Sequence, residues 1–159
     1  MGLEQEWVLL AYRLPREPST PRSQVWRKLK RLGVAQIADG LVALPADART
    51  QEALEWIADE VLEHHGEAMV WLGKPADSSG QQALREKMTA AIADEYDAVT
   101  ADAVGSDDSD ATARQRVAAR LRRELQRIEA RDYFSPPQRD TARRATDELA
   151  APSITGARA

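Results

Sequence analysis

Apolar residues in the first 75 positions fall into short runs that are typical of strands. The run at residues 7–12 is apolar throughout and ends at Arg13, which predicts a buried strand. Two further short apolar segments flank Asp39-Gly40, a dipeptide that favours a tight hairpin. In residues 67–74 the side chains alternate between two faces, as in a strand. The pattern therefore predicts four strands.

Two segments between these strands have the spacing of amphipathic helices. One is predicted at residues 21–32, ending at Gly33, and the other at residues 47–65, with Gly66 as its C-cap. The expected buried residues are Val25, Leu29 and Leu32 on the first helix, and Leu54, Ile57, Ala58, Val61 and Leu62 on the second. The order β-α-β-β-α-β predicts an α+β, ferredoxin-like fold with both helices on one face of an antiparallel sheet.

The second half of the chain is predicted to be helical. Residues 75–80 have the composition of a linker, and helices are expected at residues 81–103, 111–131 and 138–150. Asp110 is the expected cap of the second of these helices, which forms a helical hairpin with the one before it. The predicted domains are a ferredoxin-like domain at residues 1–75, a helical extension packed on it at residues 81–150, and a disordered tail at residues 151–159.

The composition of the chain restricts its function class. The 159 residues are 43% apolar, which suffices for one core with a smaller appendage. Because there is no cysteine, disulfides, thiolate nucleophiles and cysteine-ligated zinc are excluded. A net charge of −4 means that only a local patch can attract nucleic acid or an anionic membrane. No segment resembles a signal peptide or a membrane span, so we expect a cytoplasmic protein without membrane partners.

The turn between the first strand and the first helix, residues 12–22 (YRLPREPSTPR), has the most informative chemistry. Thr20 is the expected helix cap, and Pro21 suits the first helical position. Backbone N–H groups at a helix start favour an anion, and guanidinium groups bind tetrahedral oxyanions through charged hydrogen bonds. The predicted oxyanion-binding residues are Arg13, Arg16, Ser19, Thr20 and Arg22. In the alternative interpretation the arginines pair with Glu17 or Asp39 in a solvated turn, and the turn alone does not decide.

The helix that follows this turn is strongly basic on its polar faces. Residues 13–31 contain seven lysine and arginine residues against one acid, Glu17. Such a field attracts nucleic-acid phosphates, although basic surface helices without a partner are common. The predicted nucleic-acid-binding residues are Arg27, Lys28, Lys30 and Arg31. The predicted helix at residues 111–131 is also rich in arginine, but there we favour salt bridges to the acidic helix before it.

No cofactor or metal site is predicted. His64 and His65 are adjacent on a helix, about 100° apart, and no third ligand has suitable spacing. Residues 72–74 follow a strand but lack the spacer and the second glycine of a phosphate-binding loop.

Several segments closely resemble the amino-terminal domain of ChrB-type chromate resistance proteins. They are residues 6–22, 25–33, 39–45, 54–59, 68–72 and 130–134, so the similarity covers most of the chain. The resemblance implies chromate-responsive transcriptional control of efflux operons, with operator DNA and chromate as partners. Because sulfate has the same charge and shape as chromate, we expect it to compete for the same site. Full-length members carry a further carboxy-terminal domain, so we expect either a stand-alone single-domain member or a separate protein that supplies the missing domain.

More distantly, the order of elements with Tyr12 at the end of the first strand resembles the ferredoxin-like domain of CRISPR-adaptation Cas2 proteins and phenylacetate-type regulators. Cas2-type nucleases are thought to bind a metal through an aspartate after that tyrosine, where this chain has Arg13. A cation in place of a carboxylate argues for anion binding and against metal-dependent hydrolysis. We therefore expect a regulatory protein and not an enzyme. The alternatives are a Cas2-like nucleic-acid enzyme and an interaction module that forms a homodimer through its sheet.

Overall fold

The computed structural model describes residues 5–152 of the chain. In chain order its elements are β1 (Trp7–Arg13), α1 (Thr20–Leu32), β2 (Ala35–Ala38), β3 (Leu41–Pro45), α2 (Ala48–Glu63), β4 (Glu67–Gly73), α3 (Ser78–Gly105), α4 (Ala111–Glu129) and α5 (Gln138–Ala150). The predicted α+β class with a helical C-terminal region is confirmed.

The sheet is antiparallel, with the strand order β2-β3-β1-β4. Strand β1 is central, since Leu10 lies opposite Val42 of β3 and opposite Val70 of β4. This is the strand order of the split-βαβ arrangement, and the predicted ferredoxin-like fold is confirmed. A register shift between Gln36 and Ala38 interrupts the pairing of β2 with β3.

The core of the sheet domain joins buried residues of β1 and β3 to the apolar stripes of α1 and α2. Leu10, Leu29 and Leu54 have no exposed surface, and α2 contacts β1, β4 and α1. Leu62 departs from the predicted face of α2, because 52% of its surface is exposed. Its neighbour Val61 is fully buried, and adjacent helical residues point about 100° apart. Val61 therefore points into the core and Leu62 points away from it.

Two helices begin earlier than predicted. The first residue of α1 is Thr20, which places Pro21 second and makes Ser19 the N-cap, so the prediction that Thr20 caps the helix is wrong. Ser19 has helical backbone angles, and its side chain makes no capping hydrogen bond, since that bond requires an extended cap residue. Helix α3 begins at Ser78, within the predicted linker, where Asp77 Oδ1 accepts a hydrogen bond from a first-turn N–H at 2.9 Å.

The end of α2 also differs from the prediction. The helix ends at Glu63, and it is His65 that takes the left-handed conformation, with φ at 64°. Gly66 therefore does not act as the predicted C-cap. A glycine is nevertheless needed there, because a Cβ would lie 2.4 Å from the backbone oxygen of Arg13.

A second core lies among the C-terminal part of α3, α4 and α5. Tyr96, Leu121 and Ile128 are buried in it, and the Tyr96 hydroxyl donates to Asp132 Oδ2 at 2.8 Å. Asp102 of α3 forms a salt bridge with Arg120 of α4, and Glu95 of α3 forms one with Arg131, two residues after α4 ends. The later residue of α3 thus pairs with the earlier arginine, and the earlier residue of α3 with the later arginine. This order shows that α3 and α4 form the predicted antiparallel hairpin, with the salt bridges within the chain that we favoured.

The chain divides into two compact units whose boundary falls within α3, between Met88 and Thr89. The predicted domain limits at residues 1–75 and 81–150 stay predictions, as does the packing of the extension on the sheet domain. Most of the predicted tail, residues 153–159, lies outside the described residues. Among residues 5–152, no helix is both long and apolar enough to cross a membrane.

Candidate anion-binding site

A cavity of about 900 Å³ opens where β1 ends and α1 begins. Three stretches of chain form its wall: the end of β1 with the following turn, the start of α1, and the β2–β3 hairpin. The strand and turn contribute Tyr12, Arg13, Arg16 and Ser19, α1 contributes Arg22 and Trp26, and the hairpin contributes Gln36 and Asp39. The cavity thus brings charged and aromatic groups from separate elements together.

Two close backbone contacts hold the end of β1 beside the cavity. The Tyr12 N–H donates to the Gly40 oxygen at 2.8 Å, and a Cβ on Gly40 would lie 2.4 Å from the Tyr12 oxygen. Gly40 also has a φ of 75°, a backbone angle that residues other than glycine rarely adopt. On the other side, Gly66 approaches the backbone of Arg13 just as closely. These contacts place the hairpin turn directly against the strand end.

The cavity contains exposed charges of both signs. Arg13, Arg16, Arg22 and Asp39 are all exposed at its wall. Within residues 5–152 the three arginines form no ion pair, so the pairs to Glu17 or Asp39 that the alternative interpretation requires are not formed among these residues. The cavity therefore offers three guanidinium groups and one carboxylate to a ligand.

Tyr12 adds a hydroxyl to this wall. Burial raises the pKa of its side chain, the Arg22 guanidinium acts in the opposite direction, and the Asp39 carboxylate raises the pKa further. An unperturbed tyrosine already has a pKa of about 10. The hydroxyl is consequently protonated at neutral pH and can donate a hydrogen bond into the cavity.

Most of the predicted oxyanion-binding residues meet at this cavity. Arg13, Arg16, Ser19 and Arg22 line it, whereas Thr20 does not. One backbone N–H group at the helix start already has a partner within the protein. The Ser23 N–H donates to the Ser19 oxygen at 3.2 Å.

The aromatic and hairpin residues of the cavity were not predicted as site residues from the sequence. Trp26 lies four residues after Arg22, and residues at this spacing share one face of a helix, so that spacing was an available signal. Gln36 and Asp39 belong to a hairpin whose presence was predicted. Its position beside the end of β1 depends on the strand order, which local patterning does not reveal.

One of the four predicted nucleic-acid-binding residues of α1 forms an ion pair within the protein. Lys28 Nζ lies 2.7 Å from Glu60 Oε2 of α2, so its charge is matched within the protein. Lys30 Nζ lies 5.9 Å from the centroid of the Trp26 ring, at the distance of a cation–π contact. The face retains exposed cations that form no ion pair with any described residue: Arg27, Lys30 and Arg31.

No group of three histidine, aspartate or glutamate side chains suited to a metal ion occurs among residues 5–152. The two adjacent histidines lie just after the end of α2, where His64 is the C-cap and His65 has a positive φ.

Comparison with known families gives a clear assignment. The profile of the family described as "Protein ChrB, N-terminal" matches residues 22–109, which is more than half of the chain. The chain belongs to the ChrB amino-terminal family. The resemblance inferred from the sequence is confirmed. Of the cavity residues, Arg22, Trp26 and Asp39 lie within the matched range, and Arg13 and Arg16 precede it.

One curated relative extends this similarity beyond the matched range. Protein ChrB of Cupriavidus metallidurans is 28% identical to the chain over 135 residues. The aligned region is 82% of this chain and 41% of that protein, so the chain spans about two fifths of the relative's length. No solved structure matches the chain.

Proposed function

We propose that this ChrB-family chain is a non-enzymatic regulatory protein of chromate resistance that binds a tetrahedral oxyanion in the cavity between β1 and α1. The observation that carries the proposal is the convergence of Arg13, Arg16 and Arg22 on one cavity without ion pairs among the described residues. The hydroxyl groups of Tyr12 and Ser19 add neutral donors at the same wall. Guanidinium groups match tetrahedral oxyanions in both charge and hydrogen-bond geometry.

Chromate suits such a set of donors. It is a tetrahedral dianion near neutral pH, accepts hydrogen bonds and donates none. Sulfate has the same charge and shape, and this cysteine-free chain has no thiol with which to reduce chromate. We therefore expect modest affinity, with competition between chromate and sulfate at one site.

The absence of catalysis is part of the proposal. Arg13 follows Tyr12 at the position where the Cas2-type nucleases are thought to carry a metal-binding aspartate. A guanidinium group at this position repels a metal ion and attracts an anion. A Cas2-like nuclease function therefore has less support than anion binding.

Contact with operator DNA is a second candidate function. The observation that favours it is the exposed position of Arg27, Lys30 and Arg31 on the same helix that carries Arg22. Cations on a helix can contact backbone phosphates, which supply much of the affinity for DNA. Because α1 borders the cavity, an anion bound there would alter the electrostatic field that DNA meets.

Calorimetry of the full chain with chromate and with sulfate tests the primary proposal. The triple variant Arg13→Ala/Arg16→Ala/Arg22→Ala should lose binding of both anions, because it removes every guanidinium group from the cavity wall. Arg22→Ala alone should weaken binding about tenfold, as expected for one charge-assisted hydrogen bond.

The matched control is Arg27→Ala, which removes an arginine from the same helix but not from the cavity lining. This variant should lose much less affinity for both anions than Arg22→Ala does, because an exposed cation outside the lining acts on the ligand only through charge that salt screens. Binding that survives the triple variant would refute the site.

A further inference from the structure

The cavity has two properties that a site for a bare oxyanion does not need. At about 900 Å³ it lies near the upper end of the range for pockets that hold organic ligands, roughly 300–1,000 Å³. It also contains the Asp39 carboxylate, which accepts hydrogen bonds and repels an anion. The three arginines and this carboxylate together fit a ligand that carries both an anionic group and a hydrogen-bond donor.

Two aromatic side chains share the cavity wall with these charged groups. Trp26 and Tyr12 both line the cavity, and both side chains are partly buried. Trp26 is on α1, four residues after Arg22, and an indole ring is a surface on which nucleobases stack in known nucleic-acid sites. A planar heterocycle is therefore the ligand element that this part of the wall suits.

We propose that the cavity binds a nucleoside phosphate, with its phosphate on Arg13, Arg16 and Arg22, its base against Trp26, and a base amino or imino group donating to Asp39. The inference rests on the proposed oxyanion site, and it identifies phosphate as the oxyanion and a nucleobase as the remainder of the ligand. The nucleoside phosphate is either a free mononucleotide or the terminal nucleotide of a single strand.

The geometry of the hairpin supports a dedicated role for Asp39. Its neighbour Gly40 is held against Tyr12 by a 2.8 Å backbone hydrogen bond and a contact that leaves no room for a Cβ. These contacts fix the turn that carries the carboxylate beside the aromatic wall. Asp39 remains exposed and forms no ion pair within the described residues, so its oxygens are accessible to a ligand.

The test is calorimetric titration of the full chain with inorganic phosphate, AMP and GMP. At least one nucleotide should bind about tenfold more tightly than phosphate, as expected for a stacked base. Trp26→Leu and Asp39→Asn should each reduce this preference severalfold and leave the affinity for phosphate unchanged or, for Asp39→Asn, increased.

Two substitutions serve as matched controls. Trp56→Leu changes a tryptophan of α2 that is 70% exposed and does not line the cavity, and Asp59→Asn neutralises an exposed aspartate on the same helix. Neither should alter the nucleotide preference. Thermal unfolding of each variant separates lost binding from lost folding, and the exposed Asp39→Asn change keeps the test valid if Trp26→Leu unfolds.

The outcomes separate this inference from the proposed function. If chromate, sulfate or phosphate binds but no nucleotide binds more tightly, the nucleotide inference falls and the oxyanion site stands. If no anion of any kind binds, both fall. Tight nucleotide binding that is insensitive to both Trp26→Leu and Asp39→Asn would also overturn the inference, because the ligand would then lie elsewhere.

A 5′-phosphorylated single-stranded trinucleotide distinguishes the two sources. If it competes with the mononucleotide at equal or lower concentration, the strand terminus is a ligand of the cavity. If only the mononucleotide binds, the ligand is free. Either result supports the shared chemistry of phosphate and base.

Discussion

Gly40 shows how a single residue determines the composition of the cavity. Its φ is 75°, and a Cβ would lie 2.4 Å from the Tyr12 oxygen, so any substitution must push the hairpin away from β1. Gly40→Ala should reduce the free energy of unfolding by about 1–3 kcal/mol, as for other strained backbone positions. It should also weaken any binding that depends on the neighbouring Asp39.

Chemical denaturation measures this loss, with Gly73→Ala as the control. Gly73 ends β4, and a Cβ added there meets no atom within 4 Å. Equal midpoints for the two variants would contradict the close approach of the hairpin to the strand.

Asp47 illustrates a local interaction with a predictable pH dependence. Its Oδ1 accepts from the Thr50 N–H at 2.7 Å, while the Thr50 hydroxyl accepts from the Asp47 N–H at 2.9 Å, and together they form a capping box. The Thr50 N–H is the main cause that lowers the pKa of the Asp47 carboxyl. Asp47→Ala should cost about 1 kcal/mol at neutral pH.

The sign of the pH effect follows from this lowered pKa. A carboxyl with a folded-state pKa below its unfolded value, about 4, contributes stability above that value. The contribution is lost as pH falls through the lowered pKa. Urea titrations at several pH values should therefore show the gap between parent and Asp47→Ala narrowing in acid, while the exposed helical control Asp59→Ala shows little gap at neutral pH.

At the scale of elements, α1 belongs to both the core and the cavity. Val25 and Leu29 have no exposed surface, and Arg22 and Trp26 on the same helix line the cavity. Leu29→Ala should reduce the free energy of unfolding by about 2–5 kcal/mol, as for other buried leucines. The control on this helix is the exposed Gln24→Ala. Similar denaturation midpoints for the two variants would be incompatible with the packing of α1.

At the scale of the whole molecule, the net charge of −4 gives no general attraction to DNA, so contact with DNA must come from one basic face. If α1 meets phosphates, the logarithm of the affinity for operator DNA should fall linearly with the logarithm of the salt concentration. Arg27→Ala/Lys30→Ala should reduce the slope by about two, because each lost phosphate contact removes roughly 0.9. Electrophoretic mobility shifts at several salt concentrations provide the measurement.

The control for DNA contact removes two arginines from another helix. Arg116→Ala/Arg123→Ala changes the net charge of the chain by the same amount but alters α4. If the two double variants shift the slope equally, the effect comes from net charge and α1 has no special role. An unchanged slope in Arg27→Ala/Lys30→Ala would assign those charges to solvent.

The sequence by itself determined which elements form and in what order. A strand has a side-chain period of two and a helix a period of 3.6, and both can be recognised within one segment. The helix at Gln138–Ala150 was therefore predictable, and the hairpin at Asp39-Gly40 and the cap at Asp110 were predictable from the local preferences of those residues. The arginines of the β1–α1 turn were predictable as a group because they lie close together in the chain.

Only the tertiary structure decided what surrounds those arginines. Asp39 reaches the cavity because β3 lies beside β1, and Glu60 neutralises Lys28 from 32 residues away. Neither contact can be recognised from the periodicity of the sequence, because both depend on strand order and helix packing. The physical reason is that local patterns specify which side of an element is buried, whereas the partner on that side is chosen by the fold as a whole.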